Sequence, residues 1–364
     1  MWPLSEEGYK TASPALGRAG RAHEAIAAWD DGQGGRVVSR VVGADGRPLS
    51  PARELAAAGD GEQVLESAAA GTRRGYLVAW RRSPRAIEAA VLDRSGRQVG
   101  PVRTIAEDDR PPQGPRVVYQ PRTREYLVVW VDVDGSVLDP SEALFARRLD
   151  RRGEPLGPAV MVSPRYPNVM SYAVAARRDR RGYLVAWNRS DPEDVAVEAR
   201  ALTGVPVGPV RAIAPGYNQA SVALAWSGRE RRFVLATHDY RAKPYRVDPG
   251  GARRGRAHTV RPGPTVEQSP FVVVLTYERR SDTLLVVWQE SDDLRRDPGV
   301  LQARRVEAAS LETLGSPRVP RRESSTFYDL CCPALAAFRG RGYLVAWAGE
   351  RGDGTGSRIF AQGI

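Results

Sequence analysis

A five-residue hydrophobic run recurs at nearly constant spacing along this chain, and that recurrence limits the fold more than any other feature. Tyr76 to Trp80, Tyr183 to Trp187 and Tyr343 to Trp347 all read YLVAW, and Tyr126 to Trp130 reads YLVVW. Weaker copies stand at Ala25 to Trp29, Phe233 to Thr237 and Leu284 to Trp288. The closing positions Trp29, Trp80, Trp130, Trp187, Thr237, Trp288 and Trp347 are separated by 51, 50, 57, 50, 51 and 59 residues, so the copies fill the 364-residue chain. A period near 50 marks a repeat architecture, in which each unit hides its apolar surface against the next.

Each copy has the same internal order. A small, apolar run such as Ser171 to Ala176 precedes a turn rich in arginine and glycine, and the YLVAW run follows. Its aromatic and branched residues, without helical spacing, predict a strand buried on both faces. A polar loop of variable length leads to an alternating third run such as Ala143 to Leu149. A turn such as Asp150 to Gly153 then opens a fourth run, marked by Gly100-Pro101, Gly157-Pro158 and Gly208-Pro209, where proline suits an outer strand. Four short strands repeated seven times predict an all-β, seven-bladed β-propeller forming a single domain over 1–364. The last repeat stops after its third strand, Ser357 to Ile364, while Trp2 to Glu7 stands where a fourth strand belongs. The N-terminal segment is therefore expected to complete the last blade and leave no free sheet edge.

The YLVAW/YLVVW runs, joined by segments such as Ala146 to Pro158 (ARRLDRRGEPLGP), resemble the tandem-repeat propellers of bacteria with large, GC-rich genomes. The resemblance covers essentially the whole chain. It implies the fold and carries no catalytic residues. An aspartate box, a kelch double glycine and a WD40 signature are all missing from the sequence.

Charge gives a weaker signal. The formal net charge is +11, yet all but two of the 54 basic residues, Lys10 and Lys243, are arginine. So diffuse an excess reads as composition rather than a nucleic-acid stripe, and a nucleic-acid partner is not expected. The turns between first and second strands carry net positive charge and the loops between second and third strands net negative charge, which predicts a basic and an acidic face. No run is long enough to cross a membrane as a helix, and no leader pattern is visible, which reads as a cytoplasmic chain, or a secreted one if a leader has been removed. A monomer is expected. Three histidines exclude a His-rich metal cage. The adjacent Cys331 and Cys332 read as two reduced, buried thiols, the alternative being a strained vicinal disulfide.

Departures from the repeat nominate the site. Repeat five replaces the closing tryptophan with Thr237, followed by His238, Asp239, Tyr240 and Arg241. A histidine beside a carboxylate at a loop mouth suits a general base, with Arg189 or Arg241 to hold an anion. Between-blade loops gather Tyr166, Asn168, Tyr217, Asn218, Phe327, Tyr328 and Asp329, and Asn188 follows the fourth tryptophan. Aromatics with amides suit sugars and metabolites, since rings stack while amides both donate and accept. Gln63, Gln113, Gln219 and Gln268 recur before the first strand and are expected to bond a neighbouring blade's backbone. Asp132, Asp134 and Asp139, and Asp292, Asp293 and Asp297, offer oxygen ligands for calcium or magnesium, but Ala143 stands where a calcium loop needs its bidentate glutamate, and no cofactor is expected.

Three functions remain open on this reading. A binding propeller would hold a small molecule or glycan over the central pore on the acidic face. A lyase, cyclase or hydrolase would use His238 or Asp239 as base. A protein-interaction scaffold would use the basic face.

Overall fold

The computed structural model describes residues 1–364 except 6–13, 20–22, 32–34, 108–111, 137–138, 192–193, 216–220, 239–241, 261–271, 291–299, 319–332 and 351–356. Seven four-stranded antiparallel sheets account for the described structure. Blade 1 comprises Ala15–Arg18, Glu24–Asp30, Arg36–Gly43 and Arg53–Ala57; blade 2, Gln63–Gly71, Gly75–Ser83, Ala86–Asp93 and Arg103–Glu107. Blade 3 runs through Gln113–Gln120, Glu125–Ser136, Asp139–Leu149 and Val160–Met161; blade 4 through Asn168–Ala176, Tyr183–Asp191, Asp194–Leu202 and Pro206–Pro215. Blade 5 holds Val222–Ser227, Arg232–His238, Ala242–Val247 and Arg253–Arg254; blade 6, Val273–Glu278, Thr283–Glu290, Val300–Glu307 and Thr313–Arg318. Blade 7 is Ala334–Phe338, Gly342–Glu350 and Ser357–Gly363, completed by Trp2–Pro3. Trp2 pairs with Ala361 and Pro3 with Phe360, and the Leu4 amide donates to the Ile359 carbonyl at 2.7 Å. The protein is thus a seven-bladed β-propeller whose N-terminal strand finishes the last blade, as the sequence implies.

Two compact units divide the chain, Met1–Asp132 with Ala146–Ala159 and Arg321–Ile364, and Val133–Phe145 with Val160–Pro320. Within each, the core lies between neighbouring sheets. In the first unit Trp29, Ala27 and Val42 of blade 1 pack against Phe338, Leu344 and Ile359 of blade 7, while Ile26 and Val41 meet Tyr76, Val78 and Trp80 of blade 2. In the second, Leu184 and Val197 of blade 4 meet Trp226, Phe233 and Tyr245 of blade 5. Alternate residues of one strand therefore face different neighbours, which is why the YLVAW runs are apolar throughout: Tyr76 to Trp80 are all fully buried.

The arginine excess has a local use. Arg40 donates to the Leu4 carbonyl at 2.9 Å, Arg147 to Ile105 at 2.7 Å, Arg200 to Val162 at 3.1 Å and Arg304 to Val260 at 2.7 Å. Each reaches from a third strand to the outer edge of the preceding blade, where the acceptor residue is buried and its carbonyl needs a donor. In blade 5 the register position belongs to Tyr245, and Arg253, stacked 5.0 Å over its ring, bonds the Ile213 carbonyl instead.

Turns between third and fourth strands repeat a second device. Asp93 Oδ1 accepts the amides of Ser95 and Arg97, Asp150 those of Arg152 and Glu154, and Asp248 those of Gly250 and Ala252. The glycine each turn needs, Gly96, Gly153 or Gly251, has φ between 78° and 88°.

Candidate functional site

Blade 4 holds a polar group centred on Glu198. Trp187 stands opposite Glu198 in the strand register, and Arg189, two residues on, shares the face of Trp187. Glu198 takes three donors there: Trp187 Nε1 at 3.1 Å and Tyr166 Oη at 2.6 Å on Oε2, and Arg189 Nε at 3.1 Å on Oε1. The Arg189 guanidinium lies 5.4 Å over the Tyr166 ring. Burial first, and then the Glu198 carboxylate, push the Tyr166 phenol well above its ordinary range, so it stays protonated and donates.

Tyr166 is placed by its backbone. Its amide and carbonyl exchange hydrogen bonds with Glu142 of blade 3, at 2.8 and 2.7 Å. The Glu142 carboxylate also accepts the Val169 amide at 2.6 Å, where the first strand of blade 4 bulges between Val169 and Ser171. Burial raises the Glu142 carboxyl against the pull of that amide. At the rim, exposed Asn168 pairs in register with Ser190, and Arg165 faces Asp134 at 3.8 Å. Asn188 points to the opposite face of its strand and is fully buried.

The tryptophan–glutamate pair occurs in a second blade. In blade 2, Trp80 Nε1 donates to Glu88 at 3.0 Å, and Arg82, two residues on, joins Glu88 at 2.9 Å and Glu62 at 2.7 Å. Trp29 and Trp288 face Val38 and Gln302 instead, and their indole nitrogens have no hydrogen-bond partner among the described residues.

Of the residues singled out in the sequence, Tyr166, Asn168 and Arg189 come together in blade 4, and Asn188 sits beside them with its side chain turned away. His238 ends the second strand of blade 5, paired with Ala242, and its side chain lies outside the described residues. Asp239, Tyr240, Arg241, Tyr217, Asn218, Phe327, Tyr328, Asp329, Cys331, Cys332, Gln219, Gln268, Asp292, Asp293 and Asp297 also lie outside them, as does the side chain of Asp139. Asp132 and Asp134 belong to the second strand of blade 3, and among the described residues no three metal-ligating side chains form a group. No described helix is long and apolar enough to cross a membrane.

Glu198 and Glu142 were not legible as site residues. Their signal is register: Glu198, like Glu88, falls opposite the closing tryptophan. The glutamine expectation is corrected for Gln63 and Gln113, the two glutamines among the described residues. Gln63 and Gln113 make no hydrogen bond to a neighbouring blade among the described residues. Carboxylates and hydroxyls fill that role: Asp30 accepts the Glu66 amide at 3.3 Å, Glu66 that of Gly114 at 2.7 Å, and Ser171 that of Val222 at 3.1 Å. Asp30, Glu66 and Ser171 reach those amides, and the exposed Gln63 does not.

No protein-family model and no curated protein matches the chain. Among solved structures it is similar to the β-propeller domain of Cps50 (Swd1) from Myceliophteria thermophila, with 10% identity, a TM-score of 0.54 and 99% of each chain covered. It is also similar to a prolyl endopeptidase, with 15% identity and a TM-score of 0.53; 98% of this chain is covered, but it spans only 47% of that enzyme's length. A third likeness is to the β-propeller domain of the Trilobed protease from Pyrococcus furiosus, which has an open velcro topology, at 10% identity and a TM-score of 0.50 over 98% and 94% of the two chains. At these identities the likenesses establish the propeller fold and nothing finer.

Proposed function

We propose that this protein is a binding propeller that holds a small hydroxylated molecule, a glycan or polar metabolite, at the blade 4 end where Tyr166, Asn168 and Arg189 meet. The observation that carries this reading is the threefold bonding of Glu198 by Trp187, Tyr166 and Arg189, which fixes the ring and the guanidinium before a ligand arrives. The exposed Asn168 amide beside them can donate to one hydroxyl and accept from another. The half-buried Tyr166 ring supplies the apolar surface that a sugar face prefers. The repeat supports counting the chain with the bacterial tandem-repeat propellers it resembles.

The test is a thermal-shift screen of the wild-type chain against sugars, polar metabolites and divalent cations with a chelator control. A ligand at 100 times its dissociation constant adds roughly 2.7 kcal/mol, a readily visible shift. The reading predicts at least one sugar or metabolite hit that Asn168→Ala removes without moving the ligand-free midpoint. Hits that survive both Asn168→Ala and Tyr166→Leu would overturn it.

A further inference from the structure

The polar frame of blade 4 has a counterpart in blade 2. Of the seven repeats, only the second and fourth follow the closing tryptophan with arginine two residues on and serine three on, Trp80-Arg81-Arg82-Ser83 and Trp187-Asn188-Arg189-Ser190. Asp31, Asp132, Asp239, Glu290 and Gly349 stand at the arginine position in the other five. In both blades a glutamate opposite the tryptophan, Glu88 or Glu198, binds the indole N–H and the arginine Nε together. In both, an exposed amide stands opposite the serine, Gln63 against Ser83 and Asn168 against Ser190. Neither amide side chain makes a hydrogen bond among the described residues.

One component differs. Where Tyr166 lies under Arg189 and donates to Glu198, blade 2 has Glu62, whose Oε2 accepts Arg82 Nη1 at 2.7 Å and the Gly59 amide at 3.1 Å. Those two donors, the amide first, hold the Glu62 carboxyl below its ordinary range, and its Oε1 has no partner among the described residues. Arg82 stands between two carboxylates, Glu62 and Glu88, whereas in blade 4 Arg189 faces Glu198 alone. The neighbouring Arg81 turns to the other face and pairs with Glu66, and exposed Asp60 and Arg85 on the flanking loops offset one another. The blade 2 frame therefore keeps one uncompensated negative charge where blade 4 has an aromatic ring.

We propose that Glu62, Gln63 and Ser83 form a second sugar site, at the blade 2 end, that takes an amino sugar. A ligand over the strand ends meets both faces of the sheet, Glu62 and Arg82 from one and Gln63 and Ser83 from the other. Its ammonium donates charge-assisted hydrogen bonds to Glu62 Oε1, and its hydroxyls exchange hydrogen bonds with the Gln63 amide. The inference rests on the blade 4 reading only in taking this frame as one that binds hydroxylated molecules.

Isothermal titration of the full chain with glucosamine and with glucose at about pH 6, where the amine is charged, tests it. Glucosamine is expected to bind about fivefold or more tighter than glucose, and Glu62→Gln to remove that margin. Gln63→Ala should weaken glucosamine binding as well. Both side chains are exposed, so the fold tolerates these changes. The control Glu54→Gln, which removes an exposed acid of blade 1, should leave the affinity unchanged. Absence of glucosamine binding, no preference over glucose, or equal loss in Glu62→Gln and Glu54→Gln would overturn the proposal. Glucosamine affinity lost in Asn168→Ala and kept in Glu62→Gln would overturn it too, while leaving the blade 4 reading in place. Binding that needs Glu62, in a chain whose screen gives no hit dependent on Asn168 or Tyr166, would support it while the blade 4 reading fails.

Discussion

Trp187 donates its indole N–H to Glu198 at 3.1 Å across the strand pair that sets them opposite one another. Trp80 and Glu88 repeat the relationship at 3.0 Å. One partner of each pair is the residue that makes the repeat visible in the sequence. In blade 4 the same glutamate also fixes Tyr166 and Arg189, so a packing element of the repeat becomes the support of the candidate site. Removing it orphans three donors. Glu198→Ala is expected to cost roughly 2–4 kcal/mol in urea unfolding, and Glu198→Gln about 1 kcal/mol, because the amide oxygen still accepts.

The inter-blade arginines make a second prediction. Arg200→Met keeps the aliphatic stem but leaves the buried Val162 carbonyl without its donor, and should destabilise the chain by about 1–3 kcal/mol. Arg180→Met, in an exposed turn, should change the unfolding midpoint little.

Gly153 provides a backbone test. Its φ is +81°, and an added Cβ would lie 3.1 Å from Val91 Cγ2. Gly153→Ala therefore combines left-handed strain with crowding and is expected to lose about 1–2 kcal/mol. Gly100, also at positive φ with open space around it, should lose only the strain component on the same change.

Glu142 sets a pH dependence. Burial raises its carboxyl above the ordinary value of 4.5, so the native state holds this proton more firmly than the unfolded chain does. Its contribution to stability is then greatest at acid pH and falls as pH rises through and above the unfolded value. Glu142→Gln, whose amide oxygen can still accept the Val169 N–H, should match wild type near about pH 4 and gain on it toward about pH 7. Parallel denaturation curves across that range check the sign.

Repeat period, strand count and terminal closure were legible because each is written in apolar residues at fixed positions, Trp80 and Trp187 among them. The arginines were not, since Arg147, Arg200 and Arg304 look like composition until the outer carbonyls they reach are placed in space. Their only sequence mark is a constant place three residues before the turn at Asp150, Thr203 and Glu307. Glu142 and Glu198 escaped for a related reason. A carboxylate on an alternating strand reads as solvent-facing, and only the cross-strand register turns it toward Val169 or Trp187. Tyr166, Asn168 and Arg189 were nominated separately, from a loop and a strand end, and the Glu142–Tyr166 bridge brings them together.

The most direct measurement is a crystal structure of the chain soaked with the strongest sugar or metabolite found by thermal shift. The account predicts ligand density against the Tyr166 ring, with hydroxyls hydrogen-bonded to Asn168 and to Arg189 or Ser190. Density for that ligand elsewhere on the propeller, with Tyr166 and Asn168 untouched, would contradict it.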